Sequence, residues 1–230
     1  MPFLFFMPRF AHLIFDLDGT LVDTKADLAA ATNHMLHVLS LPTLSVQQVE
    51  RYIGDGARML VERALGADHA SLIEKGLVIF LEYYADHLLD HTRAYAGIEP
   101  ILEDAQAHGM ILSILTNKPE APSRAILSGL GMAQHFTAVV GGDTLPVKKP
   151  DPLGVVHLQQ ETGIPLAQTL LIGDSRIDVE TGRAAGIATC GVTWGFGAQG
   201  LLTTPPEFVV NTSEELRRVI LQKKATGRRL

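Results

Sequence analysis

His12-Leu13-Ile14-Phe15-Asp16-Leu17-Asp18-Gly19-Thr20-Leu21 sets two carboxylates directly behind a short apolar run, where the chain must turn. Leu13 to Phe15 reads as the end of a buried strand, and in open α/β sheets ligands gather outside the carboxyl ends of the strands. Asp16 is then expected at the mouth of a crevice. Gly19 permits a backbone conformation that is strained for other residues, so the chain can double back and aim both carboxylates at one bound species. On this segment alone, a solvated acidic turn competes with that reading.

Further apolar runs follow at Ile111 to Leu115, Ala138 to Val140, Thr169 to Ile172, Ile187 to Val192 and Phe208 to Val210, with helical stretches between them. That alternation predicts an α/β fold, a Rossmann-like parallel sheet flanked by helices. Gly97 and Pro100 open one helix, which Gly109 stops after His108. Pro119 suits the first turn of another, ended by Gly129 or Gly131.

The intervals between strand ends are unequal. Asp16 to Thr116 is 116 − 16 = 100 residues, Thr116 to Lys149 is 33 and Lys149 to Asp174 is 25. One strand-helix-strand step needs about 30 residues, so the first interval holds roughly 70 to spare. Thr24-Lys25-Ala26-Asp27 resembles a capping box with Asp in the place of Glu, and Leu28, Ala31, Met35, Val38 and Leu39 follow at helical spacing. Leu60, Ala64 and Leu65 suggest a second helix, and Leu72 to Leu89 a longer one. The expected organisation is a catalytic core of residues 1–23 and 95–230, with an inserted all-helical cap over 24–94.

A chain of 230 residues, 47% hydrophobic and 19% charged, has the composition of a compact globular protein. Its net charge of −6 opposes a general nucleic-acid binder, which needs a basic face. No apolar run has transmembrane length, so no membrane partner is expected. The lone Cys190 cannot form an intramolecular disulfide, and cytoplasm is the default location. The apolar start is short and has no basic segment before it, which argues against a signal peptide. Met7 makes a plausible start, with residues 1–6 as an upstream extension. The basic tail from Lys223 reads as a solvated terminus. The oligomeric state, monomer or homodimer, is open.

Other strand ends carry polar groups. Thr116-Asn117-Lys118 offers a hydroxyl, an amide and a cation that suit a phosphate oxygen, although Thr-Asn after a strand also fits a helix cap. Lys148 and Lys149 sit in a proline-stiffened loop, where a lysine near two carboxylates would balance their charge; two solvated lysines are the alternative. Gly173-Asp174-Ser175 ends another apolar run, with Asp178 one helical turn on. Asp16 and Asp174 could supply the one or two carboxylates that magnesium takes, while Asp174 could equally be an N-cap.

Taken together, Asp16-Leu17-Asp18-Gly19-Thr20, Thr116-Asn117, Lys149-Pro150 and Gly173-Asp174-Ser175 with Asp178 resemble the motifs of the haloacid dehalogenase superfamily of phosphotransferases, over nearly the whole chain. Asp16 to Asp23, Tyr52 to Ala57, Lys149 to Leu153 and Val192 to Gly195 look like those of bacterial phosphoglycolate phosphatases. The resemblance implies a phosphomonoester hydrolase with Asp16 as nucleophile and Asp18 as general acid and base. It also implies a magnesium ion on Asp16, the Asp18 carbonyl and Asp174 with Asp178 in its outer shell, and phosphoryl oxygens on Thr116, Asn117 and Lys149. The second Asp points to phosphate esters and away from organic halides. Gly54, Asp55, Gly56 and Arg58 form the candidate specificity loop of the cap, with Arg58 placed to meet a substrate carboxylate. The partner implied is a small phosphorylated metabolite. A sugar phosphatase, a phosphomutase and a non-catalytic binding module are the rival readings.

Overall fold

The computed structural model describes residues 8–223, so the readings of residues 1–6 and of the basic stretch after Lys223 lie outside the described residues. Strand β1 (His12–Phe15) leads to β2 (Val22–Asp23), which pairs antiparallel with β3 (Arg93–Ala94). Between those two short strands the chain forms α1 (Lys25–Val38), α2 (Val46–Glu50), α3 (Ala57–Leu65) and α4 (Ile73–Asp86). After β3 come α5 (Ile98–Ala107), β4 (Ile111–Leu115), α6 (Glu120–Gly129), β5 (Ala138–Val140), α7 (Leu153–Thr162) and β6 (Thr169–Gly173). Next are α8 (Arg176–Ala185), β7 (Ala188–Val192), α9 (Gly200–Thr203), β8 (Phe208–Val210) and α10 (Ser213–Ile220). None of the described helices is long and apolar enough to cross a membrane.

The main sheet has the order β5-β4-β1-β6-β7-β8, and every neighbouring pair is parallel. β4 and β5 lie to one side of β1 and the later strands to the other, so the loop after β1 leaves at the switch point where α/β ligands bind. Phe15 is in register with Ile114 and Ile172, which brings Asp16, Thr116 and Asp174 out at one edge.

Alternation along the strands fills both faces of the sheet. Leu13, Phe15, Leu112, Ile114, Leu170 and Ile172 join one core, while Ile14, Leu115 and Leu171 pack with Val155 and Leu158 of α7. The helical insert has a core of its own, including Leu28, Met35, Leu60, Phe80 and Tyr84.

Several local expectations change. Thr24 is not a side-chain cap: its hydroxyl donates to Asp18 Oδ1 at 2.8 Å, and its backbone is helical, not extended. Asp27 instead accepts from the amides of His91 and Thr92 and from the Thr92 hydroxyl, tying together the two chain segments that join insert and sheet. Val38 is exposed because α1 has turned its face away by that point. The long helix runs from Ile73 to Asp86 and not to Leu89. The end of α6 is as expected: Gly129 is its last residue, and Gly131, at φ 69°, follows the C-cap Leu130.

Candidate active site

Three acids meet at the edge of the sheet. Asp16 follows β1, Asp174 follows β6 and Asp178 lies in the first turn of α8; all three are buried, and each offers an oxygen within 4.8 Å of the others. Ser175 takes the N-cap position of α8, leaving Asp174 free of that duty. Asp178 accepts from the Ser175 hydroxyl at 2.6 Å, Asp174 from the amide of Gly197 at 2.9 Å, and Asp16 from the amide of Leu17 at 2.8 Å.

Glycine makes this crowding possible. A Cβ on Gly19 or Gly195 would stand 2.4 or 2.3 Å from Asp174 Oδ2, and one on Gly173 would stand 2.2 Å from Asp178 Cγ. Gly19 also has φ 82°, the positive value that the turn directly after the two motif acids requires.

Lys149 enters from the β5–α7 connection, with Nζ 2.9 Å from Asp16 Oδ1 and 2.6 Å from Asp178 Oδ1. Three carboxylates against one ammonium leave a formal charge of −2 in a buried site, which is costly unless compensated. Burial pushes the Asp16 carboxyl up to about 6, against the pull of Lys149 and with Asp178 adding to the push. Asp174 is driven well above the usual carboxylate range by burial and then by Asp178 and Asp16. Burial on its own would lower Lys149, but the two acids beside it prevail and raise it. A hard divalent cation fits this donor set, since carboxylate oxygens are its preferred ligands and two positive charges balance the excess.

Asp18 belongs to a second group. Both of its oxygens face Lys118 Nζ, at 3.2 and 3.1 Å, and Lys118 also donates to the Tyr84 hydroxyl of α4 at 2.7 Å. Thr116 is buried beside them. Asn117 donates its side-chain amide to the carbonyls of Gly54 and Lys149, both at 3.1 Å, so it joins the helical insert to the Lys149 loop.

These residues surround one cavity between sheet and insert. Asp16, Asp18, Thr116, Asn117, Lys118 and Asp174 line its floor, and Leu28, Ile53, Leu60, Phe80, Leu81 and Tyr84 line its roof. Gly54 and Gly56 reach the cavity. Their loop neighbours turn away: Asp55 pairs with Arg63, and Arg58 with Glu74 on the exposed surface. Arg58 is thus not among the residues that line the cavity; its guanidinium pairs with Glu74, in the first turn of α4. The two adjacent lysines part company, Lys149 to the acids and Lys148 to the carbonyl of Asp55.

The sequence reading offered Lys118 only as a cation suited to a phosphate oxygen, without its pairing to Asp18, and left Tyr84 without a role. Lys118 carried a signal, its place directly after Thr116-Asn117; Tyr84 sits on an apolar helix face and carried none.

The chain matches the model of the haloacid dehalogenase-like hydrolase family over residues 13–192. It is 41% identical over 211 residues to a phosphoglycolate phosphatase of Neisseria meningitidis, covering 88% of this chain and 90% of that one. A phosphoglycolate phosphatase of Chromobacterium violaceum is 41% identical over 207 residues, covering 88% and 92%. Among solved structures, a predicted phosphoglycolate phosphatase from Haemophilus somnus 129PT superposes with a TM-score of 0.87 at 31% identity, over 92% of this chain and 98% of that one. With these matches and the strand-end motifs on a parallel sheet, the chain belongs to the haloacid dehalogenase-like hydrolase family.

Proposed function

We propose that this chain is a magnesium-dependent phosphomonoesterase that hydrolyses 2-phosphoglycolate to glycolate and phosphate, with the helical insert over residues 24–94 acting as its cap. The observation that carries the reading is the meeting of six motif residues at one switch point: Asp16, Asp18, Thr116 and Asp174 line one cavity, and Lys149 and Asp178 are packed against Asp16. The choice of substrate is supported by relatives about two-fifths identical that are named phosphoglycolate phosphatases.

Asp16 is the nucleophile. Its free oxygen attacks phosphorus, the bond from phosphorus to the alcohol oxygen breaks, and that oxygen takes a proton from Asp18 as glycolate leaves. Asp18 then accepts a proton from water, which attacks the aspartyl-phosphate, frees inorganic phosphate and restores Asp16. Thr116, the Asn117 amide and Lys149 hold the phosphoryl oxygens. Asp16, the Asp18 carbonyl and Asp174 would hold the magnesium ion, with Asp178 behind them; when bound, it supplies positive charge against the transferring group. The cap roof, mostly apolar, excludes water from the reacting centre. We place the enzyme in the cytoplasm, which the unpaired, buried Cys190 supports.

Phosphate release from 2-phosphoglycolate, sugar phosphates and p-nitrophenyl phosphate, with magnesium and with a chelator, tests this function. The expected result is chelator-sensitive turnover with the highest kcat/KM on 2-phosphoglycolate, and a loss of about a thousandfold or more in kcat for a folded Asp16→Asn protein. Equal kcat/KM across the panel would remove the substrate while keeping the mechanism; undiminished turnover by Asp16→Asn would remove the mechanism.

A further inference from the structure

The substrate proposed above carries a second anionic group besides its phosphate, and the cavity offers little to receive it. Lys118 is the one cationic side chain among the described residues that line the cavity. Arg58 is engaged outside with Glu74, and Lys148 with the Asp55 carbonyl. The rest of the roof around Tyr84 is apolar, contributed by Leu28, Ile53, Leu60, Phe80 and Leu81.

Lys118 and Tyr84 have donors in reserve. An ammonium group has three protons. The two Asp18 oxygens, at nearly equal distances, can share one of them and the Tyr84 oxygen takes another, an arrangement that would free the third for a ligand. The Tyr84 hydroxyl accepts from Lys118, so its own proton is also available. Burial keeps that proton in place, pushing the phenol up to about 12. Both groups line the cavity among apolar side chains, where a hydrogen bond to a charged acceptor is strong.

We propose that Lys118 and Tyr84 form a two-donor clamp for the carboxylate of the substrate, one donor from the loop after β4 and one from helix α4 of the cap. This rests on the phosphatase function proposed above and deepens it: the residue that holds the acid Asp18 also reads the substrate's second charge. Because one donor is on each side of the cavity, a carboxylate-bearing ester bridges core and cap, and an ester of the same length without a carboxylate leaves the bridge unmade.

The test compares 2-phosphoglycolate with ethyl phosphate, which has the same chain length and no carboxylate. In Tyr84→Phe the ring and its packing stay and the hydroxyl goes. The kcat/KM ratio of 2-phosphoglycolate over ethyl phosphate should fall about tenfold or more relative to the unaltered protein, the loss expected for one hydrogen bond to a charged group. A ratio that stays within about twofold while both values fall would overturn the clamp, because a structural fault or a misplaced Asp18 affects both esters alike.

A second measurement does not need turnover. The magnesium-loaded Asp16→Asn protein, with and without Tyr84→Phe, is titrated calorimetrically with each ester. A fall of about tenfold in affinity for 2-phosphoglycolate relative to ethyl phosphate supports the clamp, and equal changes overturn it. If the unaltered protein releases no phosphate from any ester, the phosphatase function fails and the calorimetric ratio still decides the clamp.

Discussion

Asp16 and Asp174 on the floor of the cavity, and Asp178 and Lys149 packed around them, are each held by short polar contacts within the core, whereas the roof meets the cavity with Leu28, Ile53, Leu60, Phe80 and Leu81 and the single hydroxyl of Tyr84. The floor is an electrostatic object whose members cannot be changed singly without stranding a buried charge. The roof is a packing object that tolerates apolar exchange of similar volume. Chemistry is thus invested where the sheet fixes positions, and selectivity where helices can vary.

The contrast breaks most readily at Lys149. Lys149→Met in the metal-free protein removes the one cation that, among the described residues, pairs with Asp16 and Asp178 and should cost roughly 3–5 kcal/mol, or about 6–20 °C in melting temperature for a chain of this size. A melting temperature within about 2 °C of the unaltered protein would show that the acids do not need their ammonium, since that change is less than about 1 kcal/mol.

Magnesium should act on the floor with a defined pH dependence. At a concentration near a hundred times its dissociation constant it should stabilise by about 2.7 kcal/mol at pH 7.5, roughly 5–10 °C. Asp16 titrates near 6 in the folded chain against an ordinary 3.8. As pH falls through 6 the native state therefore takes up a proton before the unfolded chain does. That uptake favours the metal-free fold and removes a ligand. The shift in melting temperature at pH 5.5 should be visibly smaller than at 7.5, and equal shifts would place the metal elsewhere.

The smallest effect belongs to the roof's outer surface. Arg58→Ala should change kcat/KM for 2-phosphoglycolate by about twofold or less, because an exposed ion pair contributes little. A tenfold rise in KM would return Arg58 to the substrate, against its pairing with Glu74.

The strands of the main sheet and the long interval between the first two were legible because apolar runs of a few residues, bounded by turn signals, admit few alternatives in a parallel sheet. Ile187 to Val192 was long by one residue, and the β2–β3 ladder, two residues a side, was too short to leave a periodic trace. Asp16 and Asp174 were legible because each follows a strand, and Asp178 because it comes one helical turn after Asp174. What stayed hidden depends on contacts between distant segments. Thr24 turns from a helix cap to Asp18, Asp27 from a capping box to Thr92, and Tyr84 meets Lys118 from a helix whose pattern reports burial alone. Arg58 illustrates the converse: its position in the loop suited a substrate carboxylate, and only the fold reveals its pairing with Glu74.

The glycines around the acids have a further consequence for how this molecule can vary. Gly19, Gly173 and Gly195 bring no functional group to the site, yet each borders Asp174 or Asp178 so closely that a methyl group would collide with it. In a saturation survey of the whole chain, these three would be among the least replaceable positions, as intolerant as the acids themselves. The inventory of residues on which the reaction depends thus includes members whose contribution is the room they leave.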